Sequence, residues 1–435
     1  MPLAPAVRAP KPGEPGFALD LLSPDYDRDP YPLLRALRER APVYWWPEAQ
    51  AFFLTRHAEV VAVLGDDARF TADRRRWNLY AAPAPEQLAH PVVRLQASNI
   101  LSLEGREHTR VRKLASLALT RRALRSLAPL MHSLADELID AFVERGECDF
   151  VRDFARSYPI VIVSRLLGIE PDSEREHSFR ILMDLDGITF NPMIGAEERQ
   201  RALDEMALHL EGVRALMEEK RRRPGEDLMT DLLRAEAEGE RFHPDEILAL
   251  ILSLIAAGGA TTAHSFGFGL IELLRNPDQL SLFRDDPDLR ANASHEIARY
   301  QMPGRFSARY ARHATELAGR EIAQGQMLVC SVAAAQRDPA LLDDPERFEI
   351  RRKPADTSVF GIGRHFCIGA ELARQELATG LGHVVERLRE LRLVGRFEDI
   401  PYGGNPAVRG PLALPLRFAP AARRAARASA RRASW

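Results

Sequence analysis

Phe360-Gly361-Ile362-Gly363-Arg364-His365-Phe366-Cys367-Ile368-Gly369 is the most telling stretch of this 435-residue chain. Glycines bend the backbone there and deliver one cysteine just before a helical pattern, AELARQELATGLGHVVERLRE. A helix N-terminus points backbone N–H groups at such a sulfur, and its dipole favours negative charge. A thiolate so placed suits a metal ion, and the glycines let a flat cofactor approach the backbone. The plainer alternative is a buried structural thiol in a glycine turn. Composition is ordinary for a globular chain, with 46% hydrophobic residues, 28% charged and a net charge of −2. That balance argues against a nucleic-acid binder, which needs a strongly basic field. The three cysteines, Cys148, Cys330 and Cys367, are scattered and point to a reducing compartment, not a disulfide framework. Of the 60 basic residues only Lys11, Lys113, Lys220 and Lys353 are lysine, which with the abundant alanine reads as genomic base bias.

Working outward, residues 1–18 read as a flexible Pro-rich lead with no stretch apolar enough for a signal peptide or anchor. Residues 19–419 read as one catalytic domain, and 420–435 as a basic, disordered tail with Arg423, Arg424, Arg427, Arg431 and Arg432. Helical pattern begins near Asp29, and YWW with AFFL around Tyr44 and Phe52 predicts a hairpin. TADRRRWNLYAAPAPEQLAHP predicts a long loop, and amphipathic helices follow from Arg106 to about Arg223. Between Glu246 and Glu272 no residue is formally charged. Pro244, Asp245 and Glu246 make a helix start and Asn276-Pro277 a stop. Its glycines, Thr261, Thr262 and His264 favour a helix buried in a protein core over a membrane span.

The ten-residue stretch resembles the haem-binding loop of the cytochrome P450 family, F-x-x-G-x-x-x-C-x-G. Further marks of that family follow in order over roughly 20–420. The resemblance implies a mainly α fold with small β-sheets, haem b as cofactor and Cys367 as its metal ligand, cradled by Phe360, Gly361 and Gly369. His108 and Arg112 match the H-x-x-x-R helix motif; positions i and i+4 share a face, so both can meet haem propionates. Arg309 matches the family's strand arginine for the same task, with nearby Arg305 as the rival assignment, and His365 is a further propionate donor. Glu296 and Arg299 resemble the E-x-x-R pair, and Arg347, in Pro345-Glu346-Arg347-Phe348, completes the implied structural triad.

Within the long apolar helix, Ala257-Gly258-Gly259-Ala260-Thr261-Thr262 resembles the motif A-G-x-[D/E]-T-T. Small Ala257 and Gly258 would let that helix pass close over the iron. Thr261 would turn its hydroxyl back to the carbonyl of Ala257 and help deliver protons during oxygen activation. The chain departs from the pattern at Ala260, where the family carries an acid. Protons must then arrive through Thr261, ordered water or another group; His264 is a candidate, with a satisfied core histidine the plainer reading.

The implied activity is monooxygenation, hydroxylating or epoxidising a sizeable hydrophobic terpenoid, steroid, fatty acid or polyketide, as in secondary metabolism. Leu254, Ala257, Pro303 and Phe306 are the matching substrate positions. Arg74, Arg75 and Arg76 read as a solvated loop face, with a substrate carboxylate as the alternative. The alternative chemistry, raised by Ala260, is a nitric oxide reductase-like or peroxide-using haem-thiolate enzyme. GIGRHF lacks the third glycine of a dinucleotide site, so electrons would come from a separate ferredoxin and ferredoxin reductase, or a flavodoxin. Arg110, Lys113, Arg364 and Arg374 are the expected docking charges. No nucleic acid, no membrane, a cytoplasmic location and a monomer complete the expectation.

Overall fold

A computed structural model describes residues 12, 17–101, 103–119, 127–170, 173–189, 195–237, 239–353, 358–404 and 408–424. They form two compact units, where sequence alone predicts one domain. The first draws on 1–82, 304–347 and 355–366, the second on 83–303, 348–354 and 367–435.

The first unit carries helices α1 (Tyr31–Arg40) and α2 (His57–Gly65) and strands β1 (Val43–Trp46), β2 (Ala51–Leu54), β3 (Phe70–Thr71), β4 (Ser307–Ala311) and β5 (Met327–Cys330). The predicted hairpin is present: Val43 pairs with Leu54, and Trp45 with Phe52. The Trp45 and Phe52 rings meet edge to face 5.0 Å apart, the cross-strand aromatic contact that fixes register. The strand order is β1-β2-β5-β4-β3, with β5 parallel to β2 and antiparallel to β4. Phe17, which the sequence reading counts in the lead, packs edge to face on Tyr44 at 5.4 Å.

The second unit holds helices α3 (Gly105–Ala118), α4 (Ala128–Asp140), α5 (Ser157–Leu166), α6 (Glu174–Thr189), α7 (Ala196–Arg222), α8 (Pro244–Arg275), α9 (Leu289–Tyr300) and α10 (Ala370–Arg387), with the strand pair β6 (Tyr402–Gly404) and β7 (Arg409–Pro411). Helix α8 starts and stops where its sequence signals lie. The His243 side chain accepts the Asp245 N–H, Glu246 accepts the His243 N–H at 2.8 Å, and Asn276 is the C-cap. By length and hydropathy α8 could cross a membrane, but most of its apolar stretch is buried in protein, packed by α5, α6, α9 and α10. Phe266 is fully buried among Phe154, at 5.7 Å, and Tyr158, at 5.4 Å. Glycines close the α8–α10 crossing: a Cβ on Gly380 would lie 2.6 Å from the Phe266 ring, and one on Gly269 2.9 Å from Leu381. The helix of Thr261 and the helix that follows Cys367 are thereby locked together, as close packing requires.

Two loop expectations change. The predicted loop contains short helices at Pro85–Ala89 and Pro91–Ala97, each started by a proline whose missing N–H costs nothing at a first helical position. Arg423 and Arg424, which the sequence reading counts in the tail, are paired. Arg424 donates to Asp136 at 3.1 Å, its N–H bonds Asp140 at 3.1 Å, and Arg423 pairs with Glu144 at 3.1 Å. Asp136 and Asp140, four residues apart on α4, share a helix face. Arg427, Arg431 and Arg432 lie outside the described residues.

Candidate functional site

In the second unit Cys367 sits three residues before α10, and Gly369 is the N-cap of that helix. The Gly369 N–H bonds the sulfur, and Arg112 and Arg374 lie near enough to favour a thiolate. Yet the thiol is pushed up, because crowding by protein outweighs those three influences. A cation bound at the sulfur would add to the influences that favour the thiolate. Cys367 is the one solvent-accessible cysteine; Cys148 and Cys330 are buried, with thiols raised to about 12.

Arg112 on α3 is half-buried, and burial draws its pKa down while the Cys367 sulfur draws it up. Among the described residues no carboxylate pairs with it. His108, one turn earlier on the same helix, is buried. In the first unit Arg309 is almost buried on β4, where its guanidinium donates to the Ala308 carbonyl at 2.9 Å. The rival Arg305 is committed elsewhere: it pairs with Asp27, donates to the Leu21 carbonyl at 2.9 Å and lies over the Tyr26 ring. His365 ends a 3-10 turn at Gly363–His365, and Phe360 is half-buried. Gly361 has φ +80°, and a Cβ there would lie 3.3 Å from the His365 carbonyl, so a side chain is excluded.

On α8 the Thr261 hydroxyl donates to the Ala257 carbonyl, and the Ser265 hydroxyl donates to the Thr261 carbonyl at 2.9 Å. Ala257 is exposed, while Ala260 and Leu254 are half-buried. A Cβ on Gly258 would lie 3.7 Å from Val163 of α5, an ordinary contact distance. Gly259 is closed off by Met183 of α6. His264 presses its ring against Gly410 of β7, which favours the packing reading over proton delivery.

The Glu296 carboxylate, 3% exposed, accepts two bonds from Arg299 at 2.7 and 2.8 Å. It also accepts the Glu349 N–H at 3.0 Å and contacts Arg352 at 3.4 Å. Asn292 ties that segment down by donating to the Arg352 carbonyl at 2.8 Å. Arg352, Glu349 and Asn292 escaped the sequence reading, which held the E-x-x-R spacing and Arg347. Arg347 belongs to the first unit.

Three expected docking charges are already neutralised: Arg110 pairs with Glu246, Arg374 with Glu371 at 2.9 Å, and Arg364 with Asp67. Lys113 is exposed. Another group unmarked in the sequence is Glu376 on α10, 2% exposed, whose Oε1 has no partner among the described residues. Burial holds this carboxyl well above its ordinary range. A folded pKa above the unfolded value of about 4.3 means no penalty below that pH and a growing one as pH rises above it, about 1.4 kcal/mol per pH unit at most. Glu376→Gln is therefore expected to match the parent in denaturant midpoint at pH 4 and to gain on it as pH rises from there. A gap independent of pH would contradict this.

Comparison with known proteins is consistent across methods. The family model described as Cytochrome P450 matches residues 45–284 and 290–394. Epothilone C/D epoxidase of Sorangium cellulosum is 32% identical over 405 residues, covering 91% of this chain and 94% of that protein. Steroid C26-monooxygenase of Mycobacterium tuberculosis is 32% identical over 389 residues, covering 88% and 95%. The structure of epothilone D-bound cytochrome P450epoK superposes with a TM-score of 0.84 at 30% identity, covering 93% of this chain and 100% of that one.

Proposed function

The chain belongs to the cytochrome P450 family, and from that premise we propose that this monooxygenase inserts one oxygen atom of O₂ into a sizeable hydrophobic molecule of the terpenoid, steroid, fatty acid or polyketide kind. Two relatives carry names that fit such bulk, an epothilone epoxidase and a steroid monooxygenase. Leu254, Ala257 and Pro303 in the second unit and Phe306 in the first are the apolar residues offered to it. Electrons come from a ferredoxin with its reductase, or a flavodoxin, and the enzyme works as a cytoplasmic monomer.

The observation that carries the reading is the half-buried Arg112, without a carboxylate partner among the described residues, beside the solvent-accessible Cys367 thiol. A desolvated cation next to a sulfur ligand suits a cofactor that brings both a metal and carboxylates. Gly369 adds to the fit, since a Cβ there would meet no protein atom within 4 Å. Haem b, when bound, supplies oxygen activation, with electron density from the thiolate favouring O–O cleavage. Cys367 Sγ would ligate the metal, His108 and Arg112 in the second unit would hold propionates, and Arg309 and His365 in the first are the further donors. Thr261 keeps its hydroxyl proton on the Ala257 carbonyl, from which rotation about χ1 can present it to an acceptor. Ala260 has no proton to give, so resupply of Thr261 falls to water.

Absorption of the purified, dithionite-reduced protein with carbon monoxide tests the reading. A strongly red-shifted Soret band is expected; an unshifted band would remove the thiolate and with it oxygen insertion. Titrating a terpenoid, a steroid, a long-chain fatty acid and a polyketide macrolide should displace metal-bound water for at least one, and silence from all four would overturn the substrate class.

A further inference from the structure

Arg409 is a buried cation in a place no motif marks. Its residue is 2% exposed, and its guanidinium lies 4.7 Å above the Phe268 ring on α8. It donates to Gln301 Oε1 at 2.9 Å, and the Gln301 amide nitrogen donates to Glu272 Oε1 at 2.8 Å. Charge fixes the amide orientation: its carbonyl meets the guanidinium, and its NH₂ meets the carboxylate. Glu272 is 3% exposed on α8, so a buried acid and a buried base are joined through one amide. The Arg409 N–H in turn donates to the Pro303 carbonyl at 2.9 Å.

These contacts meet on one helix face. At 3.6 residues per turn, Thr261, Phe268 and Glu272 lie within about 40° of one another around α8, with Thr261 about 10 Å along the axis from Phe268. Strand β7 runs along the flank of that face: Pro411 sits against Gly267, and Gly410 against His264. With falling residue number the strand therefore advances towards Thr261. Tyr402 of β6 stacks on Phe268 at 6.2 Å. At Gly404, φ is +147° and the Val408 backbone leaves no room for a Cβ, which holds the two strands together at that end.

Resting on the haem-thiolate reading above, we propose that Arg409 is a positioning residue that sets substrate fit. Through Gln301 and Glu272 it pins the β6–β7 pair and Pro303 to α8, and so fixes the wall beside Thr261 against which a bulky ligand packs. It touches neither substrate nor cofactor. Removing its charge breaks the buried link that runs through Gln301 to Glu272, which also pairs with Arg275 at 3.6 Å, and the strand pair loses its registration on the helix.

Spectral titration of holoenzyme with imidazole and with clotrimazole tests this. Both ligate the iron through an imidazole nitrogen, but only clotrimazole carries a bulky body. Arg409→Met should keep the red-shifted carbon monoxide band and an unchanged imidazole affinity, while clotrimazole weakens about tenfold, the scale of losing a well-packed anchor. Arg409→Lys should recover part of the loss. Equal weakening of both ligands, or an unchanged clotrimazole affinity, would overturn the proposal. Should Arg409→Met not accumulate, Gln301→Leu breaks the same link and must give the same contrast. Failure of the parent enzyme to shift its Soret band would instead overturn the haem-thiolate reading.

Discussion

Glu296→Gln is expected to lower the stability of the holoenzyme by about 3–5 kcal/mol, the range seen when one partner of a buried ion pair is removed. The carboxylate is 3% exposed and gathers four donors: two from Arg299, one from the Glu349 backbone and one from Arg352. Glutamine keeps the shape but removes the charge, so two guanidiniums face each other across a neutral amide whose NH₂ adds a third donor. Desolvation outside water makes that arrangement far costlier than a surface pair. Chemical denaturation read at the Soret band measures it, and haem should leave at lower denaturant than in the parent. Asp399→Asn, which breaks the exposed Arg396 pair, is the matched control and should change nothing measurable. A Glu296→Gln loss within the scatter of that control would show that the cluster does not hold this part of the fold.

Cys367→Ser should abolish the red-shifted carbon monoxide band and oxygen insertion together, with the protein still folded. A serine hydroxyl has too high a pKa to act as a comparable anionic ligand, and it lacks the soft sulfur that favours O–O cleavage. Structure supplies the controls. Cys148 and Cys330 are buried, and their thiols rise to about 12; replacing either by serine should leave the band in place, at some cost in stability for Cys330, which is wholly buried. Persistence of the band in Cys367→Ser, or its loss in Cys330→Ser alone, would assign the ligand wrongly.

Legibility followed range along the chain. The start and stop of α8, the β1–β2 hairpin and the bend before Cys367 are set by neighbours within a few residues, and each was readable. His108 and Arg112 were readable as a pair because i and i+4 share a face. What local sequence could not show were contacts distant along the chain: Arg110 pairs with Glu246 and Arg364 with Asp67, 136 and 297 residues away. Arg409, Arg352 and Glu376 carried no signal, because an arginine or glutamate in a mixed sequence is by default a surface residue.

By itself, the sequence determined the family, the cysteine available to a metal and the helix that carries Thr261, because each is written in a contiguous run whose spacing is local geometry. Only the tertiary structure decided which charges are spent inside the protein and which face outward. Burial and pairing belong to the packed molecule: Glu296 acquires Arg352, Arg305 is claimed by Asp27, Arg112 is left beside the sulfur without a carboxylate among the described residues, and Glu376 loses water and holds its proton more tightly.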